Sequence, residues 1–493
     1  MILAIDSGTT GTTVLILNRR GRIAAQAYTE LPQYYPHPGW VEHDPDQIWQ
    51  VTRHTIRKAL AVGRLRAADI QTIGITNQRE TTILWERRTG TPVANAIVWQ
   101  CRRTAAMCDQ LKRRGLEPIF RRKTGLVLDA YFSGTKIRWL LDHVRGARAR
   151  AQRGDLAFGT VDSWLIWKLT GGRVHATDVT NASRTLLYNI RTRRWDKPLC
   201  RLLGVPTAIL PEVLASSADY GVTTSGVLVS GVPIRGVAGD QQASLVGHGC
   251  LSPGTAKNTY GTGCFLLLNT GSRFVQSRHG LITTLAVGRT ATPGYALEGS
   301  VFIAGAAIQW LRDELKIITT AAETEAIARR IPSTGGVYVV PAFVGLGAPY
   351  WDMHARGAIV GLTRGAGRDI IVRATLESLA YQTRDVVEAM QQDSGIRLRE
   401  LRVDGGAAHN NWLMQFQADL LGISVVRPSM VANTGRGAAL LAGIGIGWWT
   451  PHDVERLAGR PERVFHPRMR ARERDQHYAG WCEAVARVRT HER

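Results

Sequence analysis

The sequence lacks the features of a membrane-spanning or secreted chain. No run of 18 or more apolar residues occurs, and the longest candidate, 438–449, is interrupted by glycines. Residues 1–6 contain no basic segment and already include an acid, which is atypical of a signal peptide. The six cysteines show no C-x-x-C spacing, which argues against a disulfide framework or a zinc site. We therefore expect a cytoplasmic protein.

Lysine is scarce, although the formal net charge is +22 at pH 7. Only eight of the 62 basic residues are lysines, and the arginines are scattered over the whole length. A nucleic-acid-binding surface gathers its basic residues in a patch or stripe, often with aromatic side chains that stack on bases. Because no such stripe occurs, we predict no specific nucleic-acid binding.

Two common nucleotide-binding motifs are also missing. The chain contains no Gly-Lys pair, so it has no P-loop of the form G-x-x-x-x-G-K-[ST]. No G-x-G-x-x-G follows a strand-like segment, which argues against a Rossmann dinucleotide site. Any nucleotide site in this protein must be built differently.

Two segments half a chain apart share an unusual design. Residues 2–17 and residues 255–268 each suggest a strand, a turn rich in glycine and threonine, and a second strand. Glycine lets a backbone approach phosphate closely, and threonine adds hydrogen-bond donors. Either segment alone could be an ordinary tight hairpin. The pair predicts two related domains, 1–247 and 248–493, with a cleft between them.

Strand-like and helix-like segments alternate in both halves of the chain. The segments 72–76 and 401–404 are typical of strands, whereas 46–61 and 369–390 are typical of helices. This alternation predicts an α/β fold.

Asp240 stands where a strand-like run, 232–238, gives way to a run, 243–246, that can open a helix. A helix N-terminus attracts anions, so an acid here is a candidate base for a hydroxyl next to a phosphate. Most aspartates at such a junction simply cap the helix, and the residue alone leaves that alternative open. A further strand-like run ends in Asp404-Gly405-Gly406, where bare backbone could receive an adenosine. Phosphoryl transfer needs carboxylates for a metal, and Asp6 and Asp240 are the candidates.

Further motifs follow in order along the chain: Pro38-Gly-Trp-Val-Glu-His-Asp-Pro, Gly74-Ile-Thr-Asn-Gln-Arg-Glu-Thr-Thr, Asn95-Ala-Ile-Val-Trp-Gln-Cys-Arg-Arg, Tyr131-Phe-Ser-Gly-Thr-Lys, Lys257-Asn-Thr-Tyr-Gly-Thr-Gly-Cys-Phe and Gly345-Leu-Gly-Ala-Pro-Tyr-Trp. Together with the hairpins and Gly239-Asp-Gln-Gln, they resemble the FGGY family of carbohydrate kinases, in its glycerol-phosphorylating branch. The resemblance implies an actin/Hsp70-like (ribonuclease H-like) ATPase fold with two domains around a cleft. It also implies ATP-dependent phosphorylation of glycerol with Mg²⁺.

The resemblance also assigns residues to roles. The positions that hold the glycerol hydroxyls match Arg79, Glu80, Tyr131, Asp240 and Gln241, and Asp240 matches the catalytic base. Trp99 and Phe265 match residues that cover the carbon edge of glycerol; without the resemblance both would be assigned to the core. The nucleotide contacts match Thr9, Thr10, Gly11, Thr262, Gly305, Gln309, Gly406 and Asn410. Asp6 and Asp240 are the expected metal ligands.

Several segments depart from the family pattern, among them the first hairpin and residues 221–231. The family usually has Gly-Thr-Thr-Ser-x-Arg after the first acid, whereas this chain has glycine at position 11 and threonine at position 13. These changes put ATP affinity in question. Residues 221–231 lack the basic, glycine-rich loop that binds a sugar bisphosphate inhibitor in some bacterial members. This predicts that such inhibition is absent.

The sequence leaves two alternative functions open. One is a kinase of the same family acting on another polyol or a ketose; the other is a glycerol-sensing protein that no longer turns over. The partners expected are glycerol, ATP and further copies of the chain, in a dimer or tetramer.

Overall fold

The computed structural model describes residues 1–226, 230–290, 292–429, 432–458 and 461–490. Its strands are β1 Ile2–Ser7, β2 Gly11–Leu17, β3 Ile23–Glu30, β4 Glu42–His43, β5 Thr72–Asn77, β6 Ile83–Glu86, β7 Ala96–Ile97, β8 Leu156–Gly159, β9 Ala176–Asp178, β10 Tyr188–Asn189, β11 Arg194–Trp195, β12 Glu212–Leu214, β13 Ile234–Gly239, β14 Ala256–Tyr260, β15 Cys264–Gly271, β16 Ile282–Ala286, β17 Gly294–Val301, β18 Tyr338–Val340, β19 Ala358–Val360, β20 Glu400–Gly405, β21 Ser424–Pro428 and β22 Pro461–Phe465.

The helices alternate with these strands in both halves of the chain. They are α1 Pro45–Gly63, α2 Ala105–Arg113, α3 Glu117–Thr124, α4 Ser133–His143, α5 Ala147–Arg153, α6 Val161–Leu169, α7 Val179–Ala182, α8 Lys197–Leu203, α9 Asp240–Gly247, α10 Gly305–Asp313, α11 Glu323–Arg330, α12 Arg368–Ser394, α13 Asn411–Leu421, α14 Asn433–Gly445, α15 Pro451–Ala458 and α16 Ala471–Val488. Within the described ranges, no helix is long and apolar enough to cross a bilayer.

The two large sheets share one topology around the two predicted hairpins. The first sheet has the order β13-β5-β1-β2-β3, and the second has β16-β17-β15-β14-β20-β21-β22. In the first sheet β1 pairs antiparallel with β2 and parallel with β5. In the second sheet β14 likewise pairs antiparallel with β15 and parallel with β20. Each predicted hairpin therefore lies in the middle of its own sheet.

Local sequence explains why α1 begins where it does. The Asp44 side chain accepts hydrogen bonds from the backbone N–H groups of Asp46 and Gln47, and Pro45 occupies the first helical position. The helix then packs its buried face, which includes Ile48 and Ile56, against the first sheet. The opposite face of that sheet is covered by α14.

Helix α14 comes from the second half of the chain but packs against the first sheet. A β-carbon on Gly74 of β5 would lie 2.2 Å from the carbonyl oxygen of Ala438. One on Gly437 would lie 1.8 Å from the carbonyl oxygen of Ala243 in α9. Only glycine permits these approaches. The predicted domains thus share a buried interface close to Asp240.

Candidate active site

The segment after β5 carries two of the predicted substrate ligands, Arg79 and Glu80, both buried. The backbone of Glu80 has φ 63°, in the left-handed region that a residue with a β-carbon rarely adopts. Such strain persists only where surrounding contacts over-determine it. At Glu80 those contacts include an ion pair with Arg184 and a hydrogen bond from the Ser133 hydroxyl to the Glu80 carbonyl.

Arg79 lies at the centre of these ion pairs. Its Nη1 and Nη2 donate to the two carboxylate oxygens of Glu298 at 2.6 and 2.9 Å. Its Nε lies 3.1 Å from Oδ1 of Asp240, and its Nη2 donates to the Tyr131 hydroxyl at 3.4 Å. The structure therefore brings together four predicted substrate-site residues: Arg79, Glu80, Tyr131 and Asp240.

Arg184 and Glu298 complete this cluster, and the sequence analysis missed both. Arg184 Nε donates to Glu80 Oε1 at 2.6 Å, and its Nη2 donates to Glu298 Oε1 at 2.9 Å. Burial alone would raise the pKa of Glu298, but the charges of Arg184 and Arg79 lower that pKa to about 2. Glu298 is the single acid of β17, a strand whose residues are all buried. A lone acid in such a strand was the signal for a buried partner.

Asp240 opens α9, as the sequence predicts, and its side chain is partly accessible to solvent. Its side chain is 30% exposed, compared with 2% for Arg79 and 0% for Glu298. Its Oδ1 accepts a hydrogen bond from the Gln241 backbone N–H at 2.7 Å. The carboxylate is thus oriented on one side and open to a ligand on the other.

Gln241 is held by Lys257, a residue to which the sequence patterns assign no role. The buried ammonium of Lys257 donates to Gln241 Oε1 and, at 2.9 Å, to Thr259 Oγ1. Burial lowers the pKa of Lys257 to about 8, against the charges of Asp404 and Asp240. This lysine lies on β14 and so links the second sheet to α9.

Two predicted aromatic residues meet across the cleft. The ring centroids of Trp99 and Phe265 lie 6.3 Å apart, edge to face, and those of Trp99 and Tyr131 lie 5.6 Å apart. Phe265 belongs to β15 of the second sheet, so this aromatic wall joins both halves. Trp99 Nε1 donates to Thr9 Oγ1 at 2.8 Å and thereby ties the wall to the first hairpin.

The turn of the first hairpin presents backbone donors. Gly8 N–H donates to the Gly11 carbonyl at 2.9 Å, and Gln78 Nε2 holds the Gly8 carbonyl at 3.1 Å. Within the described part of the chain, the N–H groups of Thr9 and Thr10 donate to no protein acceptor. Unpaired adjacent N–H groups at a turn form an anion-binding site.

Asp6 is the next-to-last residue of β1 and lies close to this turn. Burial and the negative charge of Asp240 raise the pKa of Asp6 to about 7. A divalent cation would relieve this repulsion, and oxygen ligands suit Mg²⁺. The described residues contain no group of three or more His, Cys, Asp or Glu side chains that could hold a metal. One or two carboxylates are nevertheless enough where phosphate oxygens supply further ligands.

The remaining predicted nucleotide contacts line one cavity of about 480 Å³ in the second half. It lies beside the turn of the second hairpin and the N-terminus of α10. All five residues predicted there are present: Thr262, Gly305, Gln309, Gly406 and Asn410. A β-carbon on Gly305 would lie 2.6 Å from the Gly261 carbonyl, whereas one on Gly406 would meet no atom within 4 Å.

Both halves of the chain match one family. Residues 1–247 match the N-terminal domain of the FGGY family of carbohydrate kinases, and residues 256–446 match the C-terminal domain. The chain belongs to the FGGY family of carbohydrate kinases. The family resemblance read from the sequence is therefore confirmed.

Relatives of this FGGY chain are similar over nearly its full length. A glycerol kinase of Petrotoga mobilis is 57% identical over 488 residues, which cover 99% of this chain and 98% of that one. Glycerol kinase 2 of Thermotoga maritima is 55% identical over 486 residues, with coverage of 99% and 98%.

Solved structures of FGGY kinases confirm the predicted actin/Hsp70-like fold. The crystal structure of Plasmodium falciparum glycerol kinase with ADP aligns with a TM-score of 0.93 at 37% identity, covering 99% of this chain and 98% of that one. A gluconate kinase from Lactobacillus acidophilus aligns with a TM-score of 0.88 at 20% identity, with coverage of 99% and 98%. That second likeness concerns the fold alone.

Proposed function

We propose that this FGGY kinase transfers the γ-phosphoryl group of ATP to glycerol and forms sn-glycerol 3-phosphate. The observation that carries the proposal is the placement of Asp240. Its carboxylate is held by Arg79 at 3.1 Å, remains partly exposed, and adjoins both the buried polar cluster and Asp6 beside the first hairpin. The sequence similarity to glycerol kinases selects glycerol among the polyols.

The polar cluster suits a small triol. Glycerol offers a donor and an acceptor at every carbon, and Arg79, Glu80 and Gln241 supply charged and amide groups to match them. Tyr131 adds a hydroxyl, while Trp99 and Phe265 cover the carbon edge. The ion pair with Glu298 fixes the guanidinium of Arg79, and Arg184 in turn pairs with Glu80 and Glu298. These side chains therefore lose little conformational freedom when the substrate binds.

Asp240 acts as the base. It accepts the proton of the terminal glycerol hydroxyl as that oxygen forms its bond to the γ-phosphorus and ADP leaves with the bridging oxygen. The N–H groups of Thr9 and Thr10 receive phosphate oxygens, and the cavity beside Gly406 receives the adenosine. Asp6 and Asp240 are the candidate Mg²⁺ ligands, and the ion would neutralise phosphate charge.

A coupled assay of ADP release tests this proposal. We expect turnover with glycerol to exceed that with dihydroxyacetone or xylulose. A preference for xylulose would favour the ketose alternative, and glycerol binding without ADP release would favour the sensing alternative. A cytoplasmic location and a homodimer or homotetramer stay predictions; fractionation and light scattering test them.

Filling the adenosine cavity should weaken nucleotide binding selectively. Because a β-carbon on Gly406 meets no protein atom, Gly406→Val projects into the cavity without straining the backbone. We expect the KM for ATP to rise at least about tenfold, equivalent to about 1.4 kcal/mol, with the KM for glycerol unchanged. Gly365 also has open space around it, so Gly365→Val is the matched control. Equal changes in both KM values would place Gly406 outside the nucleotide site.

Inhibition by a sugar bisphosphate should be absent. The segment 221–231 contains no basic residue, and clustered cations are needed to receive two phosphates. Residues 227–229 of that segment lie outside the described residues. We expect fructose 1,6-bisphosphate to leave activity unchanged at about 0.15 M salt, where exposed charges are screened beyond roughly 8 Å. Saturable inhibition under these conditions would reveal another site.

A further inference from the structure

Position 11 of the first hairpin is closed to every residue except glycine. A β-carbon there would lie 2.5 Å from the hydroxyl oxygen and 2.6 Å from Cε2 of Tyr28, and 2.5 Å from the carbonyl oxygen of Thr29. The glycine that departs from the family pattern is therefore matched to a tyrosine. The ring of Tyr28 occupies the space that a side chain at position 11 would need.

Tyr28 lies on the same face of the first sheet as Asp6. The register places Asp6 opposite Thr13 and Thr13 opposite Tyr28, on three adjacent strands. Directly opposed residues point to the same side of a sheet. Tyr28 thus extends a row that begins at Asp6 and passes through position 13, where the family has an arginine.

The hydroxyl of Tyr28 holds the turn of the hairpin. It donates to the Thr10 carbonyl at 3.0 Å, and the same carbonyl accepts the Leu31 backbone N–H at 2.9 Å. If the phenol were removed, the carbonyl would keep the Leu31 N–H as a partner, so no acceptor would be left without a hydrogen bond. Tyr28 is 44% exposed, so part of its ring is accessible from solvent.

We propose that Tyr28 is a positioning residue for the nucleotide phosphates, and this inference rests on the proposed function. Its ring packs over Gly11, and its hydroxyl fixes the Thr10 carbonyl, so the N–H groups of Thr9 and Thr10 stay directed at the phosphates. Tyr28 thereby compensates for the polar side chain that is missing at position 11. A hairpin fixed before binding loses less conformational freedom on receiving its ligand.

The test compares Tyr28→Phe with Tyr34→Phe. Tyr34 is also an exposed tyrosine whose hydroxyl is hydrogen-bonded, in its case to the side chain of Gln47 at 3.0 Å. For each variant we would measure the dissociation constant of Mg·ADP by calorimetry, the KM for ATP and for glycerol, and the melting temperature. We expect Tyr28→Phe to raise the Mg·ADP dissociation constant and the KM for ATP by about 2- to 10-fold. The KM for glycerol and the melting temperature should not change, and Tyr34→Phe should match wild type throughout.

Two results would overturn the inference. One is an unchanged Mg·ADP dissociation constant in Tyr28→Phe; the other is a loss of ATP and glycerol affinity together with a lower melting temperature, which would indicate a purely structural role. Calorimetry with Mg·ADP does not depend on turnover. A wild-type protein that binds Mg·ADP but does not phosphorylate glycerol would reject the proposed function and leave the test of Tyr28 valid.

Discussion

Asp240→Asn is expected to lower the turnover of glycerol by about 10²–10⁴-fold, the usual contribution of a general base. The amide oxygen can still accept from the Gln241 N–H and lie beside Arg79, as the carboxylate does at 2.7 and 3.1 Å. What is lost is the group that accepts the hydroxyl proton. Rate measurements at saturating glycerol and ATP, with glycerol binding followed by calorimetry, check this. Glycerol should still bind.

Asp219→Asn is the matched control for the loss of a carboxylate paired with an arginine. Asp219 pairs with Arg235 at 2.6 Å, and its side chain is 65% exposed. Its variant should keep wild-type turnover, because exposed ion pairs contribute little. Near-normal turnover in Asp240→Asn would reject the assignment of the base.

Glu298→Gln is expected to reduce the free energy of unfolding by about 3–5 kcal/mol, because it removes one partner from a buried ion-pair cluster. The side chains of Glu298 and Arg184 are 0% exposed and that of Arg79 is 2% exposed, so both guanidinium groups would lose a buried counter-charge. The freed Arg79 would also misplace its contacts to Asp240 and Tyr131. We therefore expect a higher KM for glycerol as well. Thermal or urea unfolding and steady-state kinetics measure the two effects.

The stabilisation of the folded protein by Glu298 should depend on pH. The pKa of Glu298 is lowered from 4.5 to about 2 in the folded protein, so its stabilisation is present above about pH 4.5 and disappears as the pH falls towards 2. The stability difference between wild type and Glu298→Gln should narrow over that range.

Glu377→Gln provides the comparison for Glu298→Gln. Glu377 is also buried and pairs with Arg373 at 2.8 Å, and it has no ion pair with the cluster around Arg79. The Glu377→Gln protein should be less stable than wild type, with an unchanged KM for glycerol. A Glu298→Gln protein as stable as wild type, or one with an unchanged KM for glycerol, would contradict the role given to the cluster.

Local signals were enough to predict much of this protein. The two hairpins, the strand that ends at Asp404 and the helix that opens at Asp240 are short segments whose composition determines their backbone. The cavity beside Gly406 gathers the five nucleotide contacts that the family resemblance assigned to the second half. Ends of elements were less predictable: the helix expected over 369–390 extends from Arg368 to Ser394 and stops where Gly395 adopts a left-handed backbone.

Only the tertiary structure decided which charges meet. Arg79 pairs with Glu298 from 219 positions away, and Arg184 reaches Glu80 over 104 positions. No periodicity links such residues, because their pairing depends on how the two sheets close on each other. Local sequence also does not reveal the contact of Tyr28 with Gly11, because that contact depends on strand register. Nor does it reveal that α14 packs against the first sheet. The sequence by itself determined the elements and the candidate base, whereas the packing of distant elements determined the electrostatics of the site.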